Sequence, residues 1–285
     1  MKPITDINEL RRIELEILDH VARFCDERGI KWFLIGGTLI GAVRHKGFVP
    51  WDDDIDIGML RPDYERFVRE YPYEGRYGLQ TSKRNSYYQA FSKIYDSETA
   101  VKERGCVCGS NGVWIDIFPF DGIPDRTFCP SRTRKWHLIQ EFIRTVNLPL
   151  REREWRLRRR IAAALLLPFR FLVSKRRIGH WLTRMTTGHS VSDSPYIGIL
   201  VWGYGLREII PRRAFDGIDF VEFEGRKLPA MSGWDLYLST VYGDYLTPPP
   251  PEKRKSTHDF QAWWNDAAPV TDSNGFDRQV PCKCP

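Results

Sequence analysis

Apolar residues at Ile7, Leu10, Ile13, Ile17, Val21 and Phe24 recur at helical spacing and predict an amphipathic helix over residues 6–28. Gly29 stops it, because glycine accepts the left-handed conformation that closes a helix. The period then changes. Trp32-Phe33-Leu34-Ile35 is a short continuous apolar run, and Asp54-Ile55-Asp56-Ile57 alternates polar with apolar. Both read as strands, at 32–35 and 54–59, with a helix near 62–70. Further strands are predicted at 78–81, 88–95, 112–118, 196–202 and 218–228. Helical patterning covers 130–187 and 232–242, and a short helix is predicted within 252–265. The polar tail from Asp266 has little periodicity and is expected to be disordered. Together these predict one α/β (α+β) domain over residues 1–265: a mixed sheet flanked by helices, with a helical insertion.

The alternation at 54–57 puts Ile55 and Ile57 toward the core and Asp52, Asp54 and Asp56 on the opposite side. Asp53 makes four aspartates within five residues. Like charges so close repel unless a cation neutralises them. Hard oxygen ligands on a strand suit Mg²⁺ or Mn²⁺, which take their remaining ligands from water and substrate phosphates. A calcium EF-hand is rejected, because its sixth and twelfth positions would be Ile57 and Asp63 instead of Gly and Glu. A solvated acidic turn is the bland alternative, and the surrounding strand pattern argues against it. Gly36-Gly37-Thr38 follows the first strand and opens a predicted helix over Leu39–His45. Glycines there allow close approach of a ligand, and a helix N-terminus offers N–H groups to an anion. Asp116 is the lone charge in Val113-Trp114-Ile115-Asp116-Ile117-Phe118-Pro119. A charge in such a run needs a cation or an arginine beside it, and the metal site is the favoured reading.

At these residues the chain resembles the LicD family, which includes the fukutin and fukutin-related proteins and is a branch of the polymerase-beta-like nucleotidyltransferase fold. The resemblance rests on Gly36-Gly37-Thr38, Gly41-Ala42-Val43-Arg44-His45-Lys46-Gly47 and Pro50-Trp51-Asp52-Asp53-Asp54-Ile55-Asp56-Ile57. It returns at Trp114–Pro119, at Tyr242-Gly243-Asp244-Tyr245, and at Pro248–Pro251, Glu252-Lys253-Arg254 and His258. Residues 125–200 carry no family signature. The resemblance implies a nucleotidyltransferase-like core that transfers phosphocholine, or a related substituted phosphate such as ribitol phosphate, from a CDP-linked donor (CDP-choline or similar) to a sugar hydroxyl. In bacterial members the acceptor is lipopolysaccharide, teichoic acid or capsule, and CMP is released. By position, Asp54, Asp56 and Asp116 become the catalytic residues and metal ligands.

The expected division of labour follows from phosphoryl transfer, which needs alignment and charge neutralisation. Asp54 and Asp56 hold Mg²⁺ on the donor pyrophosphate. Gly36, Gly37 and Thr38 bind its oxygens. Asp116 completes a second metal site or accepts the proton of the attacking hydroxyl. Arg44, Lys46 and Lys93 neutralise developing charge, and Arg254 and His258, four residues apart, are added as substrate contacts. The competing readings are a solvated basic loop for Arg44 and Lys46, a surface strand position for Lys93, and a surface helix position for His258. Two other functions stay open: nucleotidyl transfer at the α-phosphate, and a catalytically inactive glycan- or nucleotide-binding protein.

The net charge of +6 is concentrated in one segment. Residues 151–184 hold eleven Lys or Arg and two Glu, a surplus of nine that leaves the rest of the chain at −3. That imbalance, without any helix-turn-helix or zinc-finger signature, excludes a general nucleic-acid binder. Within the segment, 155–173 is basic at both flanks and apolar between. It is too short to span a bilayer, and reads equally as an interfacial helix drawn to anionic lipid or as a core helix broken at Pro168. A lipid-linked glycan acceptor would make peripheral contact with the inner membrane face sensible. Met1-Lys2-Pro3-Ile4-Thr5-Asp6 leads into a polar helix and does not read as a secretory signal. The six cysteines include the pairs Cys106/Cys108 and Cys282/Cys284, whose spacing is wrong for zinc. Reduced thiols in a cytoplasmic setting are expected.

Overall fold

A computed structural model describes residues 1–72, 74–83, 87, 89–103, 111–125, 175–200, 205–254 and 260–265. In chain order its elements are β1 (Lys2–Ile4), α1 (Ile7–Arg28), β2 (Phe33–Leu34), α2 (Gly36–His45), β3 (Asp56–Leu60), α3 (Arg61–Glu70), β4 (Tyr77–Gln80), β5 (Ser92–Asp96), β6 (Thr99–Glu103), β7 (Trp114–Ile123), α4 (Lys175–Thr186), β8 (Tyr196–Gly198), β9 (Ile210–Pro211), β10 (Ile218–Phe223), β11 (Arg226–Met231), α5 (Trp234–Tyr242) and β12 (Phe260–Trp264). The architecture is the expected mixed α/β one. Most of the predicted insertion at 130–187, the segment 155–173 and the tail from 266 lie outside the described residues.

The main sheet has the order β2-β3-β7-β5-β4. Its β3–β7 pair is parallel, and the β2–β3, β4–β5 and β5–β7 pairs are antiparallel. All ten residues of β7 are buried, as expected of a strand paired on both edges and covered on both faces. Its C-terminal half also pairs with β8. Close packing across β2, β3 and β7 depends on Gly58. A Cβ there would come within 2.6 Å of the Phe33 and Phe120 rings, which meet edge to face at 5.2 Å.

The helices follow from local chemistry. The Asp6 side chain caps α1 by accepting from the Asn8 N–H at 2.9 Å, and Gly29 closes it at φ 60. The buried stripe of Leu10, Ile13, Ile17, Leu18, Val21 and Phe24 packs α1 on the sheet. α3 carries its arginine inward. Arg61 donates to both carboxylate oxygens of Asp121 on β7 at 2.7 Å each, and Asp121 is fully buried.

A second sheet, β1-β12-β6, is antiparallel throughout. It corrects the expected helix within 252–265, because Phe260–Trp264 is a strand. Phe, Ala and Trp at alternate positions satisfy a strand, and the partners come from far away in the chain. Lys2–Ile4 lies on one side, Thr99–Glu103 on the other, and Trp264 Nε1 donates to Glu9 at 2.8 Å. Long-range pairing of this kind has no local signal. The β10–β11 hairpin turns at Glu224 (φ 48) and Gly225 (φ 70).

Among the described residues no helix is long and apolar enough to cross a membrane. Cys25 is buried in α1, and burial pushes its thiol up to about 12, which makes it an inert packing residue.

Two buried acids generate predictions. Asp121→Ala should lower stability by about 3–5 kcal/mol in denaturant titration, because it strands the Arg61 charge inside the protein. Glu208 is also buried, and burial alone pushes its carboxyl up to about 8. The folded state therefore holds a proton that the unfolded chain releases near its ordinary 4.5. Its stabilising effect is full below that value and lost as pH rises through about 8. Glu208→Gln should flatten this pH dependence and melt above the parent protein at alkaline pH.

Candidate active site

Parallel pairing of β3 with β7 sets Asp56 opposite Asp116, and the antiparallel β5 sets Lys93 opposite Asp116 on its other side. Three strands thus bring two acids and a lysine into one row. Lys93 is 6% exposed, so it is no surface strand position. Its Nζ lies 3.3 Å from Asp116 Oδ1 and 3.8 Å from the centre of the Trp114 ring. Trp114 Nε1 donates to Asp116 Oδ2 at 3.1 Å. The carboxylate of Asp116 is therefore oriented by an ammonium and an indole.

Asp52, Asp53 and Asp54 form the loop that enters β3. Among the described residues, theirs are the three carboxylates that can each offer one oxygen within 4.8 Å of the other two. Asp56 and Asp116 stand outside that close group, so the expected triad of Asp54, Asp56 and Asp116 is a looser arrangement. The charges still act on one another. Burial first, then the negative charges of Asp54, Asp116 and Asp52, push the Asp56 carboxyl well up, and Lys93 opposes them.

α2 ends on this acidic surface. It begins at Gly36, earlier than expected, with no side-chain cap, so the positive end of its dipole faces the carboxylates. Gly36 sits at φ 58, and a Cβ there would come 3.0 Å from Asp56 Oδ2. A Cβ on Gly37 would collide with Asp52 Oδ2. Two glycines are needed because the helix terminus lies against the acids. The Gly36 N–H donates to Tyr237 Oη at 3.4 Å, and Thr38 Oγ1 accepts from the Asp56 N–H at 2.8 Å. Thr38 thus ties the helix to the start of β3.

Two residues of α1 that were not predicted as part of the site act on the loop, Arg11 by hydrogen bonds and Glu14 by its charge. Arg11 Nη2 donates to the carbonyls of Val49, Pro50 and Asp52 at 3.1, 3.1 and 2.7 Å. Glu14 is 2% exposed. Burial, then Asp54 and Asp53, push its carboxyl well up, while Arg11 pulls it down. The signal was available: Glu14 stands four residues from both Leu10 and Leu18, on the apolar stripe.

The basic residues divide. Arg44 and Arg254 come together at Trp51, immediately before the acidic loop. Lys46 does not join them. It ends α2 at φ 56 and pairs with Glu222 of the hairpin at 3.1 Å, and the Lys46 carbonyl accepts from the Glu224 N–H. Both side chains of the Lys46–Glu222 pair are exposed, so it contributes little to stability. His258 lies outside the described residues.

An acidic group beside an uncapped helix terminus, with a lysine at its edge, suits hard cations and phosphate oxygens. Comparison with known proteins gives the family. Residues 29–159 match the family model described as LicD/FKTN/FKRP, nucleotidyltransferase domain. The chain is 32% identical to the lipopolysaccharide cholinephosphotransferase LicD of Haemophilus influenzae over 92% of its own length and 99% of that protein's. It is 38% identical to the ribitol 5-phosphate transferase FKRP of Homo sapiens, over 17% of this chain and 10% of that one. An uncharacterized Rickettsia prowazekii protein, RP689, is 28% identical over 41% of this chain and 44% of its own. With its acidic strand pair inside the matched region and its likeness to a cholinephosphotransferase running nearly end to end, the chain belongs to the LicD family and is a LicD-type transferase.

Proposed function

We propose that the protein transfers phosphocholine, or a closely related substituted phosphate, from a CDP-linked donor to a sugar hydroxyl of a cell-surface glycan. The observation that carries this reading is the row of Asp56, Asp116 and Lys93 across three strands, set beside Asp52–Asp54 and the glycine turn of α2. The end-to-end likeness to a lipopolysaccharide cholinephosphotransferase supports the substrate class.

A divalent cation fits the residues present. Asp56 is pushed up by burial and by three neighbouring carboxylates, and a dication would reverse that repulsion. Asp54 and Asp56 would hold it, with Asp52 alongside, as hard oxygen ligands appropriate to Mg²⁺ or Mn²⁺. When bound, such an ion supplies charge neutralisation on the donor pyrophosphate.

The chain's own residues do the rest. In the reaction the sugar hydroxyl oxygen forms a bond to the β-phosphorus, the bond from that phosphorus to the bridging oxygen breaks, and CMP leaves with the electron pair. Asp116 takes the hydroxyl proton. Its orientation by Trp114 and Lys93 supports that role. Lys93 balances the charge on Asp116 before the proton arrives. The N-terminus of α2 faces the phosphates with its dipole.

Incubation with CDP-choline, CDP-glycerol or CDP-ribitol, Mg²⁺ and a glycan acceptor should release CMP with at least one donor. Pyrophosphate release from a nucleoside triphosphate instead would replace this reading with nucleotidyl transfer. Asp56→Asn should lower turnover about 10²–10³-fold and leave the circular dichroism spectrum unchanged. In excess chelator the same variant should melt above the parent. A raised carboxyl stabilises the folded state when protonated and loses that contribution as pH rises. The advantage of Asp56→Asn should therefore grow toward alkaline pH and vanish in acid. A chelated variant less stable than the parent at pH 8 would contradict the electrostatic account of the site.

A further inference from the structure

Arg44 and Arg254 come from opposite ends of the chain and meet at one ring. Arg44 Cζ lies 5.8 Å from the centre of Trp51, and Arg254 Cζ lies 5.4 Å from it. Both guanidiniums are pinned by neutral acceptors. Arg44 donates through Nη1 to the Tyr245 carbonyl at 3.1 Å and through Nε to His45 Nε2 at 2.8 Å. Arg254 donates through Nε to the Pro249 carbonyl at 2.8 Å. Among the described residues neither guanidinium makes an ion pair with a carboxylate. Several other arginines of the fold are matched by acids, among them Arg61 with Asp121, Arg76 with Asp96 and Glu16, and Arg226 with Asp19.

Burial first, and then the positive charge of Arg254, pull Arg44 below its usual value. His45 is pulled down as well, by burial and by Arg44, consistent with a neutral imidazole that accepts from Arg44. Two cations held close enough to oppose one another, without a carboxylate between them, are an incomplete electrostatic unit. Guanidiniums have a planar fork that matches phosphate oxygens in pairs. Both guanidiniums lie within cation–π range of Trp51, which is followed directly by Asp52, so the unit adjoins the acidic loop.

We propose that Arg44, Trp51 and Arg254 form an anion clamp for the pyrophosphate of the donor. The assignment rests on the CDP-donor reading for its ligand, and it adds an orientation. A quaternary ammonium would be repelled by two guanidiniums, and the Trp51 ring is already engaged by both. The phosphates of the donor meet Trp51, and its cationic headgroup is bound elsewhere.

Calorimetric titration of inorganic pyrophosphate into the full chain in excess EDTA tests the clamp without metal or turnover. The parent should bind it. Arg44→Gln and Arg254→Gln should each weaken binding about tenfold, with partial recovery in Arg254→Lys. Lys227→Gln removes a cation from another aromatic ring, that of Phe220, and should leave binding unchanged. CDP-choline should displace pyrophosphate, and choline alone should not. Arg254 is exposed, so its variants keep the test available should Arg44→Gln fail to fold. Undiminished binding in the Arg254 variants, no binding by the parent, or competition by free choline would overturn the clamp. Failure of CDP-choline to compete would overturn its assignment to the donor. The reaction is judged separately. Pyrophosphate binding through these arginines without CMP release from any CDP donor would retain the clamp and remove the reaction. CMP release unaffected by both substitutions would do the reverse.

Discussion

The structure turns on a concentration of negative charge that the backbone makes unavoidable. Parallel pairing of β3 and β7 puts Asp56 opposite Asp116, and the loop entering β3 adds Asp52, Asp53 and Asp54. In a partly buried position such charges repel strongly, because the low local dielectric that strengthens attraction strengthens repulsion equally. Much of the surrounding structure answers this constraint. Lys93 sits against Asp116, the N-terminus of α2 faces Asp56 and Asp52, and Arg11 grips the loop by its carbonyls. Asp56 and Glu14 are still pushed well up, by burial first and then by the neighbouring carboxylates. The stability given up there is the kind that functional sites sacrifice.

β7 makes the point within a single strand. It carries two buried aspartates, five residues apart, which meet different fates. Asp121 is matched by a bidentate Arg61 from α3 and is structural. Asp116 has a lysine at 3.3 Å and an indole N–H, partners that orient a carboxylate without the bidentate pairing that Asp121 has. Both lie in unbroken apolar surroundings, so hydrophobicity alone could not have told them apart. The identity and geometry of the neighbouring cation decide which acid is locked in a bidentate pair and which is held by single contacts.

The basic residues show the same dependence on context. Arg44 and Lys46 are two positions apart at the end of α2, yet the helix turn sends them to different partners. Lys46 adopts a left-handed backbone at the C-cap and pairs with Glu222, while Arg44 joins Arg254 at Trp51. Lys93, which strand periodicity left divided between surface and site, is buried beside Asp116 because β7 lies alongside β5.

Local sequence determined what local physics controls. The helix over 7–28 follows from its apolar stripe, its aspartate cap and its terminal glycine. The strands around 33–34, 56–60 and 114–123, the two glycines before α2 and the run of aspartates were legible from period and composition, since each is set by its neighbours along the chain. Contacts between distant segments decided the remainder. β12 is a strand because residues 2–4 and 99–103 supply its ladder. The close carboxylate group falls at Asp52–Asp54 because the loop folds on itself before β3 begins. Arg44 reaches Arg254 only after α2 and the proline run are packed together. Periodicity specifies which face of an element is buried. It carries no information about which charge from two hundred residues away will stand opposite, because that is fixed by strand register and helix placement after the chain has folded.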